Sequence, residues 1–130
     1  MPRVRELTDD LLAFWRERHL CTVTTLRTDG SPHVIPMGIV LDVENGAAWG
    51  ITSSTSQKVR NLLAGGDPRV AVCQVDGRRW STVEGVAEVR ADPASVREAE
   101  RRYAERYRTP RENAARVAIR IRLTRILGNV

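Results

Sequence analysis

The side chains best suited to bind an anion stand together where a predicted strand meets a predicted helix. An apolar run ends at Ile51 and is followed by five hydroxyl residues at positions 52–56. Gln57 and Lys58 then open a pattern with apolar residues on one helical face. We expect Ser56 to be the N-cap of this helix, because its side-chain oxygen can accept a hydrogen bond from a first-turn N–H group.

Lys58 is the only lysine in a chain whose other long basic side chains are all arginines. The helix dipole disfavours a cation in the first turn of a helix, so a lysine at this place suggests that an anion binds beside it. Main-chain N–H groups, hydroxyls and one ammonium suit a phosphate monoester or diester. A plain capped loop with a surface lysine fits the same residues, and the residue pattern alone leaves both interpretations open.

The composition narrows the range of functions. A length of 130 residues fits one domain, residues 1–130, but it is short for a chain that buries a large cofactor alone. An oligomer with its site between subunits would remedy this. The net charge of +5 is compatible with nucleic acid, yet the arginines are dispersed and aromatic residues make up only 5% of the chain. The sequence therefore disfavours nucleic acid and favours an anionic small molecule as the partner.

Segment hydropathy and cysteine usage indicate a cytoplasmic protein. No apolar run is long enough to span a membrane, and the first ten residues are charged, unlike a signal peptide. Cys21 and Cys73 each lie in a strand-like run without the spacing of metal ligands. We therefore expect two free thiols, no metal site and no membrane association.

Six strand-like runs and three helix-like runs make up the chain. The predicted strands cover residues 20–26, 32–43, 47–53, 70–75, 80–89 and 117–127, and the predicted helices cover residues 9–19, 57–64 and 93–107. Short turns between strands, with helices at the margins, predict a mainly β fold, a small antiparallel split β-barrel. Gly85 predicts a bulge. Pro36 and Gly38 interrupt the second strand and indicate an edge or bulge where a flat group can lie on the backbone.

Six short motifs occur in the order seen in one known family. They are Thr-Thr-Leu-Arg at 24–27, Asp-Gly-Ser-Pro-His-Val at 29–34, Ile-Thr-Ser at 51–53, Ser-Gln-Lys at 56–58, Pro-Arg-Val-Ala-Val at 68–72 and Val-Glu-Gly-Val-Ala at 83–87. Together they resemble the split β-barrel flavin-binding proteins typified by pyridoxamine 5'-phosphate oxidase. Residues 74–85 and 102–111 are similar to the branch that uses the deazaflavin coenzyme F420, and within it to the deazaflavin-dependent biliverdin reductases.

The resemblance implies a homodimer with two cofactor sites at the interface and a small-molecule substrate. Carried over by position, the residues that would hold the cofactor phosphate are Thr52, Ser53, Ser56 and Lys58, with Gln57 beside it and Arg60 and Asn61 nearby. The residues that would lie along the ring or reach it are Ile35, Pro36, Met37, Gly38, Ile39, Ile51 and Trp80. The implied chemistry is hydride transfer from reduced F420 to a conjugated substrate such as biliverdin.

Two alternatives to an F420-dependent reductase stay open. An FMN-dependent oxidase-like enzyme is one, although Gln57 stands where the oxidases have an arginine next to the phosphate lysine. A cofactor- or haem-binding protein without turnover is the other, because the sequence identifies no catalytic acid or base. His33 lies on a predicted strand, where a histidine is more often a structural residue. The anionic oligoglutamate tail of F420 would give the arginine excess a specific use.

Overall fold

Seven strands and three helices make up residues 8–130, the part of the chain that the computed structural model describes. The helices are α1 Asp9–Phe14, α2 Gln57–Leu63 and α3 Pro93–Arg106. The strands are β1 Cys21–Leu26, β2 Pro32–Met37, β3 Val40–Asp42, β4 Ala47–Ser53, β5 Arg69–Asp76, β6 Arg79–Arg90 and β7 Arg116–Asn129. The predicted mainly β fold with marginal helices is confirmed.

The seven strands form a single antiparallel sheet in the order β2-β1-β5-β6-β7-β4-β3. The two edge strands, β2 and β3, are consecutive in the chain and are separated only by Gly38 and Ile39. Three Cα–Cα steps span at most about 11 Å, so the two edges of the sheet must come together. The sheet is therefore rolled into a barrel that is split along one seam, and residues 37–40 cross that seam.

Alternation along the strands fills the barrel with apolar side chains. Val72, Val83 and Ile121 are almost fully buried, and Trp15 closes the core from the segment after α1. β6 alternates as predicted up to a register shift between Glu84 and its successor. A glycine is required there, since a Cβ atom would collide with a main-chain carbonyl oxygen of β7. None of the described helices is both long and apolar enough to cross a membrane.

Two predicted elements differ from the structure. The single strand predicted over 32–43 is two strands, because the chain crosses the seam at Gly38 and changes from one sheet edge to the other. The helix predicted to continue to about His19 ends at Phe14. Beyond that point the N–H groups of Arg16 and Glu17 bond to carbonyl oxygens three residues back, which tightens the last turn.

Candidate functional site

Lys58 lies in the first turn of α2, as predicted, and only 6% of its surface is exposed. Burial lowers the pKa of its ammonium group, and no carboxylate counters this effect. Within residues 8–130, no Asp or Glu forms an ion pair with it, whereas arginines elsewhere on the chain pair with nearby carboxylates. A buried cation without a counter-ion is costly, so its place in the fold favours an anionic ligand.

The hydroxyl side chains beside Lys58 bond to one another rather than cap the helix. Ser56 is the N-cap residue of α2, as predicted from its position, but its side chain makes no capping hydrogen bond. The prediction that the Ser56 side-chain oxygen accepts a capping hydrogen bond is therefore wrong. Thr52 donates to the Ser56 hydroxyl over 3.3 Å instead, which joins the end of β4 to the start of α2. Both oxygens keep capacity for a further partner.

The amide side chains of α2 divide into one that is structural and one that faces solvent. Asn61 is 4% exposed and donates to the Thr25 hydroxyl over 2.9 Å, which ties α2 to β1. Gln57 donates to Asn61 and accepts from Arg60. Arg27 joins Gln57, Arg60 and Asn61 in lining a surface cavity of about 300 Å³ next to Lys58. The lining of this cavity includes the guanidinium groups of Arg27 and Arg60 and the carboxylate of Asp29, which lies in the turn between β1 and β2.

His33 faces the same region from β2, opposite Thr25. Its Nδ1 atom is buried and has no hydrogen-bond partner among the described residues. Burial, followed by the charges of Arg27 and Lys58, lowers the pKa of the imidazole. A neutral histidine with an unsatisfied nitrogen beside two cations is a second sign of an absent anionic or polar group. The sequence placed His33 on a strand but gave no signal that it meets Lys58.

A groove of about 370 Å³ runs along the seam of the barrel. It brings together five of the residues predicted to bind a cofactor, which are Met37, Gly38, Ile51, Thr52 and Ser53. Its other lining residues are Leu20, Tyr103, Arg108, Pro110, Arg111, Asn113 and Arg116. The groove therefore has a floor of apolar side chains and main chain, and a polar end near Thr52. One side of it is a basic wall formed by Arg108, Arg111 and Arg116.

Residues at the end of α3 pack against the seam. Gly38 lies against two rings, since a Cβ atom there would be 2.7 Å from Tyr107 and 3.0 Å from Tyr103. The Tyr107 hydroxyl accepts from the Ile39 N–H group over 3.2 Å and donates to the His19 carbonyl oxygen over 2.7 Å. The sequence predicted a helix over residues 93–107, but nothing in it linked these tyrosines to Gly38.

Arg106 is a buried cation that supports the same segment without a carboxylate partner. It donates to the Ile39 carbonyl oxygen, to the Gln74 side-chain oxygen over 2.6 Å and to the Glu17 carbonyl oxygen over 2.9 Å. Its guanidinium also stacks near the ring of Trp15. Because these acceptors engage all three nitrogens of the Arg106 guanidinium, its role is structural, and it differs in this from Lys58.

The other predicted ring contacts fall into two groups. Ile35 and Pro36 lie on edge strand β2, and Ile39 lies fully buried in the seam beside them. Trp80 does not join them within one chain. Trp80 is the second residue of β6. Ile51 lies level with the far end of that strand, at Arg90, about 33 Å away along the strand.

Comparisons with known proteins agree with this architecture. The family model described as pyridoxamine 5'-phosphate oxidase matches residues 7–129, so the chain belongs to that family. The chain is 49% identical over 123 residues to the F420H(2)-dependent biliverdin reductase of Mycobacterium tuberculosis, covering 95% of this chain and 88% of that protein. The resemblance drawn from the sequence is thereby confirmed.

Two solved structures are similar over most of their length. A conserved hypothetical protein from Mycobacterium tuberculosis shares a TM-score of 0.75 and 28% identity, covering 93% of this chain and 83% of that chain. A structure described as an F420 reductase shares a TM-score of 0.68 and 27% identity, covering 88% of this chain and 94% of that chain. The predicted split barrel is therefore confirmed.

Proposed function

We propose that this chain is an F420H2-dependent reductase that acts on biliverdin. The observation that carries the proposal is Lys58, a buried ammonium that has no carboxylate partner among residues 8–130. It lies in the first turn of α2, a few residues after Thr52 and Ser53, which line the seam groove. The named activity of the relative at 49% identity supplies the cofactor and substrate. The residues present fit such a cofactor, because a polar or anionic group bound there could partner both the His33 nitrogen and the Lys58 ammonium, which have no partner among the described residues.

In this proposal Lys58 and the hydroxyls of Thr52, Ser53 and Ser56 hold the cofactor phosphate. Met37, Gly38, Ile39 and Ile51 present apolar side chains and main chain to the deazaflavin ring, together with Ile35 and Pro36 on β2. Gln57 and Arg60 flank the phosphate, with Arg27 beside them, so the oligoglutamate tail would leave along the basic cavity at this end of α2. Asn61 contributes by fixing α2 against β1, since its amide is already bonded to Thr25.

When bound, reduced F420 supplies a hydride from C5 of the deazaflavin ring. The protein orients the two reactants and excludes water from the floor of the groove. The described residues that line this groove include no carboxyl, imidazole or thiol group, and their one phenol, that of Tyr103, belongs to a ring packed against Gly38. We therefore assign delivery of the accompanying proton to solvent rather than to a side chain.

A homodimer with the cofactor sites at its interface completes the proposal. On the outer face of β2, β1, β5 and β6, the uncharged residues Pro36, Thr22, Cys73 and Thr82 form one row across the four strands. The charges of Arg69 and Glu84 lie farther along this face. Next to this row Val75 pairs with Trp80, and both side chains are exposed. Because Pro36 and Trp80 share this face, pairing of two such faces would bring Trp80 of each subunit toward the other's site.

Two free cysteines support a cytoplasmic location, since unpaired thiols persist in a reducing compartment. FMN is the second candidate cofactor, because the family is described as pyridoxamine 5'-phosphate oxidase. Gln57 argues against it, since an uncharged amide replaces the arginine expected beside a terminal phosphate.

Anaerobic turnover with reduced F420 and biliverdin tests the proposed reaction. We expect oxidation of the coenzyme to depend on biliverdin and to yield bilirubin, with reduced FMN inactive in the same assay. If only reduced FMN is oxidised, the result would favour the second candidate, an FMN-dependent enzyme. Binding of either cofactor without any turnover of biliverdin would contradict the proposed activity.

A further inference from the structure

The basic wall of the seam groove has no acidic counterpart. We propose that Arg108 and Arg111 form a subsite for the carboxylate side chains of the substrate, an inference that rests on the proposed reductase function. Both guanidinium groups lie on the loop between α3 and β7 and line the groove that contains Met37, Gly38 and Ile51. They therefore border the same groove as these residues of the predicted ring site.

The charge balance of this groove differs from that of the larger cavity between α1, β3 and α3. That cavity, of about 610 Å³, contains four arginines together with Asp42, Glu44 and Glu105. The lining of the seam groove includes three arginines and no aspartate or glutamate. A positive cleft without internal acids attracts and orients an anion from solution.

Two of the three groove arginines have no partner of their own. Arg116 donates to Glu100 over 2.8 Å and is largely occupied. Within residues 8–130, Arg108 and Arg111 make neither an ion pair nor a side-chain hydrogen bond, and both are exposed. Their five-donor forks are therefore free to bind a planar carboxylate.

The loop that carries these arginines is fixed to the groove at both ends. Tyr107 anchors its start through the hydrogen bond to the His19 carbonyl oxygen. Asn113 anchors its end by donating to the Ser53 hydroxyl over 2.9 Å and accepting from the Ala115 N–H group over 2.9 Å. A held loop presents its two guanidinium groups at a defined place, which reduces the entropy lost when a ligand binds.

The chemistry of the proposed substrate matches this arrangement. A linear tetrapyrrole of the biliverdin type is a flat conjugated molecule with two propionate side chains. Its conjugated carbons would lie on the groove floor while the two propionates reach Arg108 and Arg111. The basic cavity at Gln57 and Arg60 is a separate surface and is assigned to the cofactor tail.

Paired substrates and matched variants test the subsite. The protein is saturated with oxidised F420, which cannot transfer hydride, and titrated with biliverdin or with its dimethyl ester. R108Q and R111Q should each weaken biliverdin binding about three- to fivefold, the upper part of the range for an exposed ion pair. Ester binding should stay unchanged, because the ester has no charge to lose. R97Q removes an equally exposed arginine of α3 outside the groove and should alter neither affinity.

Three results would overturn the subsite. Equal biliverdin affinity in wild type, R108Q and R111Q would show that the guanidinium groups do not bind the propionates. Equal losses for biliverdin and its ester would show a structural effect. Weaker F420 binding with unchanged biliverdin binding would assign the arginines to the cofactor. These results differ from failure of wild-type protein to reduce biliverdin, which would contradict the proposed function itself.

Discussion

Lys58 combines two properties that conflict in a protein without a ligand. Its side chain is buried, and its charge has no carboxylate partner in the described chain. His33, which faces Lys58 from β2, adds an unsatisfied nitrogen to the same place. Both features are expected where binding of an anion has been favoured at some cost to the stability of the free protein.

We predict that K58M weakens F420 binding and stabilises the free protein. Loss of a charged hydrogen bond to the phosphate should cost about 1.5–3 kcal/mol, which is roughly 10- to 150-fold in affinity. Removal of a buried, unpaired charge should raise the free energy of unfolding by roughly 1 kcal/mol. Calorimetric titration and urea unfolding measure the two effects, and K58R serves as the variant that keeps the charge.

The gain in stability from K58M should also depend on pH. Burial depresses the pKa of Lys58 in the folded state, so the unfolded chain binds more protons between the two pKa values. Wild-type stability therefore improves as the pH rises through the folded pKa toward the ordinary lysine value. The advantage of K58M should shrink over that alkaline range, and a constant difference would show that Lys58 is not destabilising.

Gly38 shows how α3 positions the seam. The chain changes sheet edges at Gly38 and Ile39, and Tyr103, Arg106 and Tyr107 hold these residues from the other side. The main chain predicted to lie along the ring is therefore rigid because of contacts that come from the end of a helix about seventy residues later.

We predict that G38A destabilises the protein by about 1–3 kcal/mol, because a Cβ atom would overlap the Tyr107 ring. The displaced seam should also weaken F420 binding. G66A is the matched control, since a Cβ atom at Gly66 meets nothing within 4 Å, and it should leave both quantities nearly unchanged. Normal F420 affinity in a destabilised G38A protein would show that the seam is not part of the cofactor site.

Periodicity was sufficient to predict most elements but not how they come together. Alternation identified β7 and β6, including the bulge at Gly85, because one face of each strand is buried. The sequence indicated an edge or bulge at Pro36 and Gly38 but not that the chain changes sheet edges there, since that depends on how the sheet closes and on tyrosine rings distant in sequence. Lys58 was predicted from residue type and position, whereas its burial and its approach to His33 depend on tertiary packing.

The closing of the sheet explains why the proposed cofactor site lies at a seam. Two edge strands that adjoin in sequence leave one open line in the barrel, and the groove follows it. On the outer face, Val75 and Trp80 are 63% and 38% exposed and lie opposite each other on neighbouring strands. An exposed apolar pair beside an uncharged row of residues on a sheet face is typical of a surface that another subunit covers.

We predict that V75K dissociates the proposed homodimer and weakens F420 binding in parallel, because a lysine buried at the proposed interface would lack a partner. Sedimentation velocity measures the oligomeric state. L63K is the control, since Leu63 is 67% exposed on α2 outside this face, and it should remain dimeric. A V75K protein that stays dimeric with normal affinity would exclude this face as the interface.

Calorimetric titration of the wild-type protein and K58M with F420 and, separately, with FMN tests most directly whether Lys58 and Gln57 belong to an F420 site. We expect tight binding of F420, much weaker binding of FMN, and a loss of at least tenfold in F420 affinity for K58M. F420 affinity that is unchanged by K58M, or FMN bound as tightly as F420, would contradict the assignment of Lys58 and Gln57 to an F420 site.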